Sequence, residues 1–392
     1  MKISRLRRPM FLCVGCFLGS LARGVRPRVG KVVNQRPTLL ERWTFRMATL
    51  DRHSRTLWLN QPGRRLTRSG LALTLALTLL QVRAPAAAAD RERAAGSVTE
   101  FLLPNLGSSP HFITAGPDET VWFSEFSGNK IGRIARTGAI TEFPIPTPAS
   151  GPAGITTGPD GALWFVESQP VVNRVGRITT TGAITEYPIP TPGAAAEHIC
   201  AGPDGALWFV EEFANRIGRT TISGVITEFV TPTPDSEPGD IISGPDNALW
   251  FTERNGNRIG RITPGGVISE YSLGPVNRSP FSIVVGPDGA LWFTEDVGAI
   301  GRITLGGSVT EFPLPTGASN PVDITVGADK ALWFTEEGGK IGRITTAGVI
   351  SEFGVPTAAP GLIGIAAGDE GRVWFTEYFA GKIGNITTGV MD

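Results

Sequence analysis

Of the three histidines in the 392-residue chain, two have company that can do chemistry. His198 directly follows Glu197, and the same stretch of chain goes on to the adjacent pair Glu211-Glu212. A neutral imidazole can abstract a proton or bind a metal, and a nearby carboxylate makes it more basic. Clustered carboxylates are hard oxygen ligands of the kind that hold Mg²⁺ or Ca²⁺. The combination suits cation-assisted proton abstraction, with His198 as base and Glu197 and Glu212 as metal ligands. His111, in Pro110-His111-Phe112-Ile113-Thr114, is a second candidate base. The bland alternative is that each histidine merely hydrogen-bonds to backbone where a loop meets a strand. His53 lies in a basic N-terminal region and is set aside.

A second acidic set is Glu125, Glu167, Glu211, Glu253, Glu295, Glu336 and Glu377, each three residues after a Trp. A ring of carboxylates can hold a cation. A feature repeated in every copy is better read as scaffold, with each Glu pairing with an Arg or capping a turn. Function is expected where the copies differ, which is where His111, Glu197, His198 and Glu212 stand.

The elements that position these groups follow from the repeat itself. Gly158-Pro159-Asp160-Gly161-Ala162-Leu163-Trp164-Phe165 recurs with small changes around Trp122, Trp164, Trp208, Trp250, Trp292, Trp333 and Trp374, at intervals of 41 to 44 residues. Self-similarity at this period, rich in short strands, is the mark of propeller blades. Within the second copy, Gly154 to Thr157 reads as a short strand and Ala162 to Val166 as the strand carrying the Trp. Arg174-Val175-Gly176-Arg177-Ile178 and Ala183-Ile184-Thr185-Glu186-Tyr187 alternate polar with apolar residues, as half-buried strands do. Pro-Asp-Gly and Thr-Gly supply tight turns, and Pro188 to Pro192 interrupts the sheet because Pro cannot donate to a ladder. The fold expected is all-β: a seven-bladed β-propeller of four-stranded antiparallel blades.

The outer-strand phrase occurs at Val98-Thr99-Glu100-Phe101 before the first Trp, and no copy follows the last. An N-terminal strand within Ser97–Leu103 is therefore expected to complete the last blade beside Lys382–Ile386, closing the ring and removing two sheet edges. Connections from fourth to first strand and turns from second to third share one face, called the top. His111, Glu197, His198, Glu211 and Glu212 all map there, near the axis. A small cyclic peptide or other small ligand is expected on that face.

Up to Ala89 the chain has 17 Lys and Arg against 2 Asp and Glu; the remainder has 19 against 34, near −15. An acidic domain argues against a nucleic-acid partner, which needs a basic footprint. Residues 1–89 read as a leader, with translation expected to start at Met47 and an export signal within 47–89. Arg64, Arg65 and Arg68 precede an apolar run from Gly70 to Leu80, followed by Ala84-Pro85-Ala86-Ala87-Ala88-Ala89. The run is short for a stable membrane span. Residues 90–392 are the expected propeller, exported to the periplasm or secreted. Of Cys13, Cys16 and Cys200 only Cys200 belongs to it, so no internal disulfide is available there.

The phrases Gly-Pro-Asp-Gly-Ala-Leu-Trp-Phe-x-Glu, Asn-Arg-Ile-Gly-Arg-Ile-Thr and Ile-Thr-Glu-Phe-Pro-Ile-Pro-Thr-Pro, from about Ser97 to Thr388, resemble the virginiamycin B lyase (streptogramin lyase) family. The resemblance implies a monomeric seven-bladed propeller that opens a type B streptogramin depsipeptide at its ester by elimination, with Mg²⁺ and a histidine base. It places that histidine in a Pro-His-x-Ile phrase on two neighbouring blades, with a Glu just before one His and another after that blade's Trp-Phe. Pro110-His111-Phe112-Ile113 matches the phrase. Ala195-Ala196-Glu197-His198-Ile199 approaches it with the His displaced by one position and no Pro, Glu212 matches the later Glu, and Glu197 roughly matches the earlier one. Two functions follow: a metal-dependent lyase using His198 or His111, or an exported non-catalytic propeller binding a peptide, glycan or cell-wall ligand. The reach from His111 to the Glu197, His198 and Glu212 group separates them.

Overall fold

Six of the seven blades are built on the same three side chains. In these, the Asp of the tight turn accepts a hydrogen bond from the indole Nε1 of its Trp, at 3.0 Å for Asp160 and Trp164, and forms an ion pair with an Arg of the third strand, at 2.6 Å for Arg177. The guanidinium lies over the same indole, 6.0 Å from the ring centroid at Arg177. The turn, the Trp and the Arg therefore specify one another, which explains why all three recur together. The glycine of the third strand has an equally local cause. A Cβ at Gly132 would stand 2.2 Å from the ring of Phe123, so only glycine seats that buried ring.

The structure is a computed structural model and describes residues 95–317 and 319–390. The expected leader over 1–89 lies outside the described residues. The strands form seven four-stranded antiparallel sheets, each running in chain order from inner to outer strand, except the last. There Val98–Leu102 pairs with Lys382–Thr387, from Val98 opposite Ile386 to Leu102 opposite Lys382. Numbering the blades in chain order, the inner strands are Pro110–Ala115, Pro152–Thr157, Ala196–Ala201, Pro238–Ser243, Pro280–Val285, Pro321–Val326 and Leu362–Ala367. Among the described residues no helix is long and apolar enough to cross a membrane.

Blades are clasped to one another by the Pro-Thr-Pro connections. Thr147 donates its N–H and hydroxyl to the carboxylate of Glu186 in the next blade's outer strand, at 3.1 and 2.9 Å. Thr191 with Glu228 and Thr233 with Glu270 repeat this, and Thr357 with Glu100 repeats it across the ring closure.

The glutamates three residues after each Trp are fully buried inside the blades, so they do not form an open axial ring. The expected basic partner is present, but a second glutamate stands beside each of them as well. Burial raises these carboxyls, and the outer-strand glutamates Glu142, Glu186, Glu228, Glu270, Glu311, Glu352 and Glu100 raise them further. Six of them face a Lys or Arg of the third strand across the ladder (Lys130, Arg174, Arg216, Arg258, Lys340 and Lys382), which lowers them only in part, while Glu295 has Arg278 at 3.8 Å and Glu336 accepts from Ser319.

Candidate functional site

Each inner strand carries a bulge at its second and third residues, where two residues oppose one on the second strand. In the third blade Ala196 faces Glu211 and Ile199 faces Phe209, leaving Glu197 and His198 opposite Val210 alone. All seven inner strands shift register in this way. A bulge breaks the ladder locally and re-aims side chains. The second residue leans toward the preceding blade at the top, and the third reaches toward the next blade around the axis. Two tiers result.

The upper tier holds three of the four expected site residues. Glu197 lies beside Ser168 of the preceding blade, whose hydroxyl donates to its carboxylate at 3.2 Å. Burial raises Glu197, against the lowering effects of His198, Ser168 and Arg254. Glu212 opens the turn of its own blade; burial and then the charge of Glu197 push it up to about 7, while Arg254 pulls it down. Arg254 is 3.9 Å from Glu212 and 3.1 Å from Asp296, and lies over the ring of Phe281 at 4.8 Å. His111 occupies the same strand position as Glu197 but in aromatic surroundings. Its ring centroid is 5.5 Å from that of Phe126 and 5.7 Å from that of Tyr378, both edge-on. Burial, and then the His198 charge, depress it to about 3, so it is a neutral imidazole. The mouth is thus aromatic around blades 7 and 1 and polar around blades 3 to 5.

The fourth expected residue, His198, lies one tier deeper. The third positions of the inner strands are Phe112, Gly154, His198, Asp240, Ser282, Asp323 and Gly364. The His198 ring packs 4.1 Å from Phe112 and 5.8 Å from Phe281. Since Phe112 is also 4.4 Å from His111, one phenyl ring touches both imidazoles. The two histidines are therefore near neighbours in space, although Gly154 of the second blade separates them around the ring.

A local substitution explains why His198 is held as it is. In blades 4 to 7 the residue two after the Trp is Thr252, Thr294, Thr335 or Thr376, and its hydroxyl bridges blades. It accepts from the third-position N–H of its own inner strand and donates to the second-position carbonyl of the next. In the third blade that residue is Val210, which has no hydroxyl. The carbonyl it leaves free, that of Gly239, meets His198 Nδ1 at 2.8 Å. A carbonyl only accepts, so Nδ1 carries a proton and Nε2 is the nitrogen turned toward the rest of the tier.

Opposite His198 stand two carboxylates that were missed from the sequence. His198, Asp240 and Asp323 each offer a ligand atom within 4.8 Å of the other two. Burial alone would lower His198, but Asp240, Asp323 and Glu197 outweigh it and raise the imidazole. Burial lifts Asp323 to about 6 against the pull of His198. The signal was available one residue beyond the second strand positions, where Asp and His break a series of small or apolar residues.

A family model described as the Virginiamycin B lyase family matches residues 82–200 and 173–391. Among solved structures, virginiamycin B lyase from Staphylococcus aureus, in selenomethionine-substituted form, is 41% identical over 74% of this chain and 99% of that one, with a TM-score of 0.71. A streptogramin B lyase is 39% identical over 74% of this chain and 97% of that one, also at 0.71. A catalytically inactive histidine-to-alanine variant of the S. aureus enzyme, with quinupristin, matches at 40% identity over 74% of this chain and 99% of that one, with a TM-score of 0.71.

Proposed function

The chain belongs to the virginiamycin B lyase family, and from that premise we propose that it is a carbon–oxygen lyase that opens the ester of a small cyclic depsipeptide by elimination at the mouth of its axial shaft. The observation that carries this reading is the division of the mouth. An imidazole and aromatic rings stand on one side, and two carboxylates with a guanidinium on the other. A cyclic depsipeptide has aromatic or apolar side chains for the first and carbonyl oxygens for the second.

His111 is the proton acceptor in this reading. It stands in the tier that faces the mouth, and burial keeps the imidazole unprotonated; the same burial weakens it as a base, so the reading requires bound substrate and cation to offset that loss. Glu197 and Glu212 fit a hard divalent cation. They are close enough to raise Glu212 electrostatically, and Arg254 at 3.9 Å from Glu212 compensates only in part. Two carboxylates, with water completing the shell, suit Mg²⁺. When bound, such an ion polarises a carbonyl as a Lewis acid and so acidifies the adjacent carbon. The proton passes from that carbon to His111, the bond from the β-carbon to the ester oxygen breaks, and the oxygen leaves as part of a carboxylate. A carbon–carbon double bond forms and no water is added. The inactivity of the histidine-to-alanine variant of the S. aureus enzyme supports a histidine-dependent reaction.

Incubation with a type B streptogramin and Mg²⁺, followed by chromatography and mass spectrometry, tests the reading. A linear product at unchanged mass is expected, and Glu212→Gln should raise the Mg²⁺ concentration needed by about tenfold or more. Lack of any product, or a product heavier by one water, would contradict it. The second reading, a binding propeller without chemistry, is favoured by one observation: Ala153 and Ile363 flank His111 at its position, so no second imidazole stands beside it in that tier.

A further inference from the structure

We propose that the axial tier is a binding site for a divalent transition metal, held by His198 Nε2 and the carboxylates of Asp240 and Asp323. This goes beyond the lyase reading and does not depend on it, because neither Glu197 nor Glu212 takes part.

Three independent features support the site. The first is the imidazole. His198 is only 8% exposed, and its Nε2 is buried without a hydrogen-bond partner. Its Nδ1–H is committed to the Gly239 carbonyl, the arrangement in which a metal-binding histidine has its tautomer and ring orientation fixed. Nε2, the nitrogen that a metal would take by displacing any proton on it, thus has no hydrogen-bond partner among the described residues.

The second is the state of the two carboxylates. Asp240 accepts from the N–H of Ile241 at 2.7 Å, the N–H of Ile283 at 2.9 Å and the Ser282 hydroxyl at 3.0 Å. Asp323 accepts from the N–H of Ile324 at 2.8 Å, the N–H of Ile365 at 2.8 Å and the same hydroxyl at 2.7 Å. An ionised carboxylate offers about four lone-pair sites, so each keeps at least one. A serine hydroxyl has a single hydrogen and cannot donate fully to both. The carboxylates are therefore locked in orientation and still short of positive charge. No Lys or Arg occupies a third position in any inner strand, so the protein supplies the tier with no permanent cation.

The third is spacing. Ligand atoms within 4.8 Å of one another are a little wider than the span of at most about 4.4 Å across a first-row ion with bonds of about 2.0–2.2 Å, so a small inward movement of the side chains would close on it. One imidazole nitrogen with two carboxylate oxygens suits Zn²⁺, Mn²⁺ or Fe²⁺ better than Mg²⁺ or Ca²⁺, which prefer all-oxygen shells.

The test is metal content and spectroscopy of the purified full-length protein, not turnover. After chelation and re-addition of Zn²⁺ in excess Mg²⁺, which occupies the mouth, elemental analysis should find about one Zn²⁺ per chain, and Co²⁺ should give a visible d–d band. His198→Ala, Asp240→Asn and Asp323→Asn should lose the ion, while Ser282→Ala should weaken it by about 10–100-fold as a supporting residue. Glu197→Gln and Glu212→Gln should leave its stoichiometry unchanged, which separates this site from the mouth. Wild-type protein that takes up no ion and shows no Co²⁺ band would overturn the proposal, as would full binding by His198→Ala. Should a ligand variant fail to fold, the wild-type stoichiometry and Co²⁺ spectrum decide alone.

Discussion

Deleting residues 97–103 is expected to lower the melting temperature by well over 10 °C or to prevent folding. The segment is the outer strand of the last blade, and its loss does three things at once. It strips the ladder from Lys382–Thr387, exposing an edge. It removes Phe101, which stacks on Trp374 at 5.8 Å and covers Gly138 of the first blade, where a Cβ would stand 2.5 Å from its ring. It also removes Glu100, which holds both Thr357 and Lys382. Burial of Leu103 and partial burial of Phe101 contribute about 2–5 kcal/mol, and domains of ordinary stability have about 5–15 kcal/mol in total. Thermal unfolding of the deletion variant against the parent checks this. A variant as stable as the parent would show that the ring does not depend on its closing strand.

Stability is expected to fall as pH rises from about 5 to 8.5. Burial and the outer-strand glutamates push Glu167, Glu211 and Glu253 up to about 8 and Glu125, Glu295 and Glu377 up to about 7, and Glu336 is also raised. Between the ordinary carboxylate range and these values the folded chain holds protons that the unfolded chain has released. Their stabilising effect is complete below the unfolded pKa and is lost as pH climbs through the folded one. One pKa unit is about 1.4 kcal/mol, so even partial shifts at seven sites amount to several kcal/mol, on the order of 10 °C. The turn aspartates Asp160, Asp204 and Asp288 act oppositely. Their carboxyls, partly buried but held low by the Trp and Arg bonds, lose stabilisation on the acid side of their ordinary range. The maximum should therefore lie near pH 5. A melting temperature that rises between pH 5.5 and 8.5 would contradict the carboxyl pairing, and Glu167→Gln should flatten the slope.

The fold was legible because its determinants are local. The Trp, the turn Asp and the third-strand Arg touch one another within a single repeat, so their spacing encodes the blade. Closure was legible because a repeat left incomplete at one end had its missing phrase at the other. The buried glutamates were read as scaffold with a basic partner, and six face a third-strand Lys or Arg; the second glutamate beside each was missed, because it comes from the outer strand, whose register the first Glu does not reveal.

The site was legible in part for a similar reason. Comparing blades at the second position of the inner strand singles out His111 and Glu197. The bulge makes the third position a separate tier, so Asp240 and Asp323, each one residue beyond the compared position, went unseen. His198 was seen, but its direction rests on Val210, where other blades have threonine. That link is between blades and has no sequence proximity.

The most direct measurement of the central claim is turnover of a type B streptogramin at saturating Mg²⁺ by wild-type protein, His111→Ala and His198→Ala, each followed as linear product of unchanged mass. Loss of a general base costs about 10²–10⁴-fold. Wild-type protein is predicted to open the ring, His111→Ala to fall by at least about 100-fold in kcat, and His198→Ala to retain activity within about tenfold. Activity that survives in His111→Ala and vanishes in His198→Ala would contradict the assignment, and a wild-type protein that leaves the ring closed would contradict the lyase reading altogether.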